Sequence, residues 1–395
     1  MINVQTLKGF RDFLPKDAKK REYVINTLKK VFESYGFEPL ETPSLEYEGV
    51  LTGKYGDEGD KLMYKFKDLG GRNVALRYDQ TVPLARVVAQ YQNDLPMPFK
   101  RYQIQNVWRA ENTQKGRYRE FMQVDIDIVG SPSLRADAEI IACALKAIRK
   151  LGFENAKVLV NDRSIFKDWK PTVFSAIDKW DKIGKDGVSK ELIQKGFEKQ
   201  WIEKLFNNFD DKKPPPNIES VFNFLKEYSI EKDKDIIFKS RLARGLDYYT
   251  STIFEIVSED YPYGSLAGGG RYDNLIGIFA GKQIPAVGFS FGFDRLFEAM
   301  DELNLFPAGP SVTKVLVTST NERAFEIANT LRENGINTEI YLDEKDLEKQ
   351  LKYADKKDIP YSIIFDKEKL ILKDMIRRTQ ETLTLEEIIK KLIQS

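Results

Sequence analysis

Across 395 residues the chain has no histidine and a single cysteine. The first absence removes the usual proton shuttle at neutral pH and the commonest transition-metal ligand. Together the two exclude zinc sites and nucleophiles of the Ser-His or Cys-His kind. The one thiol, Cys143, has no partner for an internal disulfide and, set in the apolar run 140–145, reads as a buried small hydrophobe. No apolar run approaches the roughly 20 residues needed to cross a bilayer, and residues 1–20 lack the apolar core of an export signal, so a cytoplasmic location without a membrane partner is expected. A strong charge of one sign is also missing. With a net charge of +1, any polyanionic partner must meet a local basic patch. Catalysis has to run on arginine, lysine, carboxylates, tyrosine, backbone amides or an oxygen-bound cation such as Mg2+.

What is present is the profile of a globular chain, 42% hydrophobic and 31% charged, long enough for two or three domains. Apolar residues spaced by three and four predict an amphipathic helix over 17–35, ended by Gly36, and the prolines of 37–43 suit an edge strand. Short strands follow at 63–66, 74–77, 99–108 and 120–129 and suggest an antiparallel sheet. A helix is expected over 136–151 and a Lys-rich helical insertion over about 165–235, with the sheet resuming at 247–257 and 286–291. After residue 310 strands at 314–318, 338–342 and 361–365 alternate with helices at about 321–334 and 344–357, the pattern of a separate small α/β domain.

Four stretches carry candidate chemistry. Between Lys100 and Arg119 six lysines or arginines stand against one acid, Glu111, in two strand-like halves around a polar loop. An arginine at the end of such a strand can grip phosphate through two charge-assisted hydrogen bonds. The second stretch, Arg244-Gly245-Leu246-Asp247-Tyr248-Tyr249, joins a cation, an acid and two phenols. In the third, Gly268-Gly269-Gly270 before Arg271, the glycines allow close approach to a ligand or positive φ. In the fourth, Ala286 to Arg295, small residues alternate and leave one strand face bare, as a flat ligand such as adenine requires.

Taken jointly, these stretches resemble the histidyl-tRNA synthetase family over nearly the whole chain, and residues 8–15 resemble that family's opening turn. The resemblance implies an α/β protein: a class II α+β catalytic domain over 1–310, with an antiparallel sheet, flanking helices and the insertion, and an anticodon-binding domain over 311–395. It implies activation of histidine with ATP and Mg2+ and transfer to the histidine tRNA by a homodimer paired through about residues 20–50. Arg109 would hold the α-phosphate and Arg295 the γ-phosphate, with Arg117 and Glu111 also around ATP and Arg244 neutralising charge that develops on the α-phosphate. Asp79 and Gln123 would receive the α-ammonium of histidine, and Asp127 and Tyr249 its ring nitrogens. Gln80, Thr81 and Tyr248 would complete that pocket together with Arg109 and Arg244, while Gln114 and Arg119 would meet tRNA. Some members carry Glu where Asp79 and Asp127 stand.

Two other readings compete. A catalytically silent relative, such as the regulatory subunit of ATP phosphoribosyltransferase, usually lacks the final domain and degrades the arginine motifs, both of which are present here. A tRNA-sensing module without ligase activity would fail to exchange pyrophosphate into ATP with histidine.

Overall fold

Alternation of polar and apolar residues makes Phe99–Trp108 and Glu120–Val129 the longest strands of the molecule, ten residues each, so one face of each can be buried while the other stays polar. The computed structural model describes residues 2–394 apart from 3, 114–115, 167–168, 178, 211, 244–247, 308–310, 320 and 344, and apart from the side chains of 56–58, 171, 174, 181, 182, 208 and 210. The chain divides into two units, Met1–Leu305 and Phe306–Ser395.

The strands of the first unit are β1 (Glu38–Pro39), β2 (Leu45–Tyr47), β3 (Lys65–Lys67), β4 (Asn73–Leu76), β5 (Phe99–Trp108), β6 (Glu120–Val129), β7 (Ala156–Asp162), β8 (Ile236–Phe238), β9 (Thr252–Ser258), β10 (Ala267–Arg271) and β11 (Ala286–Gly292). The main sheet runs β1-β5-β6-β11-β10-β9-β7-β8; its inner pairings are antiparallel and both edge strands pair in parallel. One face is apolar. Phe32 of the helix Pro15–Ser34 lies 5.4 Å from the ring of Phe291 and 5.9 Å from that of Tyr102, and Phe254 stacks on Phe289 at 4.9 Å. That helix opens on Pro15 and buries Val24, Leu28, Val31 and Phe32 along one stripe, each side chain contributing about 1.5 to 3 kcal/mol. Gly36, at φ 74°, ends it. The helix Leu134–Lys150, capped by Ser133, packs on the same face and holds the buried Cys143, whose thiol pKa burial pushes up.

The structure departs from the sequence reading at several points. The segments expected as strands near 63–66 and 74–77 do not join the main sheet; with β2 they form a separate three-stranded sheet, β2-β4-β3. Of the two roles open to the triple glycine, positive φ is not the one taken: it forms the central strand β10, held by its neighbours β9 and β11, where close approach calls for glycine. Thr81–Gln90 is a helix that the pattern did not announce, and β7 was likewise unread. In the insertion, the helices Pro171–Ile177, Trp180–Gln194 and Lys199–Asp210 build a core that is continuous with residues around Tyr249 and Tyr272. Pro216 instead opens a helix, Pro216–Lys226, that packs on Leu134–Lys150.

In the second unit, β12 (Val315–Val317), β13 (Thr338–Ile340) and β14 (Tyr361–Asp366) are parallel, as the alternation of strand and helix requires. Beyond them lie two antiparallel strands, β15 (Lys369–Asp374) and β16 (Thr379–Leu383), and the helix Leu385–Gln394, none of which the sequence reading reached. Among the described residues no helix is long and apolar enough to cross a membrane.

Candidate active site

The register of the main sheet decides which side chains meet on its polar face. Arg101 on β5, Asp127 on β6, Gly288 on β11 and Gly270 on β10 stand side by side in one row. Two residues along, Gln103, Asp125, Ser290 and Gly268 form the next row, and Gln105, Gln123 and Gly292 a third. Residues two apart share a face, so all three rows form one floor. Over it lies a cavity of about 420 Å³, a size suited to small molecules.

Two glycines of the floor are required by close contact. A Cβ on Gly288 would lie 2.0 Å from Oδ1 of Asp127, and one on Gly270 would lie 2.8 Å from the ring of Tyr249. The carboxylate and the phenol therefore rest on bare backbone.

One end of the cavity gathers acids and phenols. Arg101 is fully buried beneath it, its Nη2 2.7 Å from Oδ2 of Asp127 and 4.0 Å from Oδ2 of Asp125, while its Nη1 donates to Gln103 Oε1 at 3.1 Å. Tyr272 donates its hydroxyl to Oδ1 of Asp127. Gln123 donates to both oxygens of Asp125, at 3.1 and 2.8 Å. Asp79 accepts from the Tyr55 hydroxyl at 2.7 Å and from the Val82 amide at 3.1 Å, in the first turn of Thr81–Gln90. Burial raises the pKa of all three carboxyls against the pull of Arg101, that of Asp125 to about 7. It also pushes the phenols of Tyr55, Tyr248 and Tyr272 well up, so they stay protonated and remain donors.

Moving from Asp127 to the hairpin and the end of β11, about 13 Å along the strands, the lining turns cationic. Arg109 is fixed by Nε on the Tyr78 carbonyl at 3.0 Å, with its guanidinium 4.5 Å from the ring centroid of Tyr78 and 5.1 Å from that of Phe121. Arg295, in the first turn of the helix Phe293–Glu302, donates to the Ser265 carbonyl at 2.8 Å. Arg117 lies 3.5 Å from Glu111. Carboxylates at one end suit ammonium and N–H donors, and arginines at the other suit phosphate oxygens. Among the described residues no group of three or more His, Cys, Asp or Glu is arranged to hold a metal.

Of the residues singled out from the sequence, Asp79, Thr81, Arg109, Glu111, Arg117, Gln123, Asp127, Tyr248, Tyr249 and Arg295 all line this cavity. Gln80 does not. Its buried amide nitrogen donates to the carbonyls of Gln105 and Gln123, at 2.9 and 3.0 Å, and so braces the strands that carry the floor. Arg119 points elsewhere as well, donating to the Glu111 carbonyl at 3.2 Å and to that of Lys8 at 3.5 Å. Gln114 and Arg244 lie outside the described residues. The sequence reading missed Arg101, Asp125, Tyr272 and Ser290; the acids alternating with apolar residues on β6 were the available signal for Asp125.

Comparison with known proteins adds an independent line. The chain matches the family model for histidyl-tRNA synthetase over residues 9–174 and 190–296, and an anticodon binding domain model over 310–395. It is 40% identical to a histidine–tRNA ligase of Cytophaga hutchinsonii, with 98% of each chain covered. It is 43% identical to that of Aeropyrum pernix, over 89% of this chain and 88% of the relative. The crystal structure of histidyl-tRNA synthetase from Nostoc sp. PCC 7120 superposes with a TM-score of 0.87 at 28% identity, covering 100% of both chains.

Proposed function

Because the chain belongs to the histidyl-tRNA synthetase family, we propose that the cavity on its main sheet is where histidine is activated by ATP before transfer to tRNA. The reaction it catalyses is ligation of histidine to its tRNA. In the first step a carboxylate oxygen of histidine attacks the α-phosphorus of ATP, forming a P–O bond while the bond to the β-phosphate bridge breaks and pyrophosphate leaves. In the second, a ribose hydroxyl at the 3′ end of tRNA attacks the carbonyl carbon of the adenylate and AMP leaves. The first step asks for positioning and charge neutralisation rather than a proton shuttle, which suits a chain without histidine.

The observation that carries the assignment is the meeting of buried carboxylates and arginines in one cavity. Asp79 and Gln123 take the α-ammonium. Asp127 and Tyr249 take the ring nitrogens, with Thr81 and Tyr248 beside them. Arg109 holds the α-phosphate, Arg295 and Arg117 the outer phosphates, and Glu111 stands near the adenine. The side chain of Asp127 is accommodated by the bare backbone of Gly288. A pocket that hydrogen-bonds both nitrogens rejects analogues without them by about 10⁴ to 10⁵. Family membership implies use of ATP, with which Mg2+ is typical. The tRNA acceptor end approaches the hairpin loop that contains Gln114, and the second unit takes the anticodon arm. The silent-relative reading is not favoured, since full-length relatives at about 40% identity are ligases.

Exchange of pyrophosphate into ATP, run with each of the twenty amino acids, tests the assignment. Exchange with histidine alone is expected, and exchange that prefers another amino acid overturns it. Three further outcomes are expected. Arg244→Ala should slow histidine-dependent exchange by at least about 10²-fold, the usual loss for one transition-state donor, with ATP affinity less affected; unchanged turnover removes Arg244 from the chemistry. Gly288→Ala should raise KM for histidine by about 10-fold or more, because the new methyl group meets a carboxylate that Arg101 and Tyr272 hold in place. KM for ATP should stay near the native value, and a parallel rise in both would refute the placement. The chain should also be a homodimer in solution, since Leu45, Tyr47 and Phe66 of the three-stranded sheet are exposed at 43%, 60% and 48% and an apolar face of this kind suits a self-complementary seam. A monomeric mass by light scattering at micromolar concentration would contradict this.

A further inference from the structure

The opening turn, residues 8–15, has no part in the chemistry above, yet its contacts run to both walls of the cationic end of the cavity. Gly9, at φ 90°, accepts the amide of Arg119 at 2.8 Å, and Arg119 in turn accepts the amide of Arg109 at 2.9 Å, so the turn lies alongside the returning arm of the hairpin. Arg11 then bridges to the opposite wall. Its Nη2 is 2.7 Å from Oδ1 of Asp294, and its guanidinium lies 3.2 Å from the ring centroid of Tyr118. Tyr118 itself donates to Glu298 Oε1 at 3.0 Å, one turn beyond Asp294 on the helix Phe293–Glu302. Asp294 is 6% exposed and also accepts from Nη1 of Arg21, at 2.8 Å.

Arg11 does not line the cavity, but Arg117, Tyr118, Asp294 and Arg295 do. We propose that Arg11 is a positioning residue for the ATP-binding end of the site. Stacked on Tyr118 and paired with Asp294, it ties the hairpin that carries Arg117 to the helix turn that carries Arg295. The inference rests on the reading of that end as the ATP site. The two walls come from segments far apart in sequence, and a triphosphate gripped from both sides needs them in fixed register. The bridge has a second strength: Arg21 keeps Asp294 paired when Arg11 is removed, so the loss falls on the tie rather than on a buried charge.

Exchange kinetics on the full chain with Arg11→Met test this. kcat/KM for ATP should fall by about 10-fold, in line with misplacement of binding groups, while KM for histidine stays within about 2-fold. Arg11→Lys, which keeps the cation, should recover part of the loss. The rise in Tm induced by ATP should shrink in Arg11→Met while that induced by histidine persists. An unchanged ATP response, or equal losses for ATP and histidine, overturns the proposal. If Arg11→Met does not fold, Arg11→Gln is judged by the same two KM values. Failure of the native chain to exchange with histidine would instead bring down the reading of the site itself.

Discussion

Replacement of Arg101 by methionine should destabilise the first unit by about 3 to 5 kcal/mol at neutral pH, the usual cost of stripping the partner from a buried charge. Arg101 is fully buried, 2.7 Å from Asp127 and 4.0 Å from Asp125, and both carboxyls are almost wholly buried themselves. Methionine fills much of the volume but leaves the two acids without their cation. The deficit should depend on pH in a definite direction. Burial already raises Asp125 to about 7, above its unfolded value, so between roughly pH 4 and 7 this carboxyl holds its proton in the folded state more than in the unfolded one and its contribution to stability falls as pH rises. Without Arg101 the carboxyls titrate higher still. The gap between native and variant should therefore widen as pH rises through about 7 and beyond. Urea unfolding at several pH values measures it. A variant of native stability at neutral pH, or a gap that widens on acidification, would show that Arg101 does not neutralise these acids.

The second large effect is expected for Arg109→Ala, with kcat/KM for ATP in histidine-dependent exchange falling by about 10³-fold. Its guanidinium is set between the rings of Tyr78 and Phe121 and fixed through Nε, so the fork is oriented before substrate arrives. An oriented phosphate contact operates in the ground state and the transition state alike, and so ATP affinity and turnover should both suffer. Arg109→Lys should recover little, because an ammonium can neither stack in that slot nor bind in two-pronged fashion. A loss below about 10-fold for the alanine variant would take Arg109 out of the phosphate site.

Much of this was legible in the sequence because strands that bury one face must alternate. Thus β5, β6 and β11 stand out, as does the stripe that buries Val24, Leu28 and Phe32. The unread parts share physical causes. Thr81–Gln90 buries Thr81, Val82, Pro83, Leu84, Ala85, Val87 and Val88, so it has too little polar face to show a helical period. The strand β10 carries three glycines, which have no intrinsic preference for extended backbone, and only its neighbours impose it. Gln80 adjoins Asp79 in sequence yet faces away, because the two sit at the entry of a helix where successive side chains diverge. Arg101 was not legible as the partner of Asp127, since that pairing depends on the register of β5 against β6, set by the hairpin between them.

The cavity proposed to take histidine is lined without an imidazole, and the 395 residues contain none either. A ribosome decoding them never meets a histidine codon and never draws on the charged tRNA that the finished molecule supplies. When that pool has run down, translation of these 395 residues does not stall at a histidine codon.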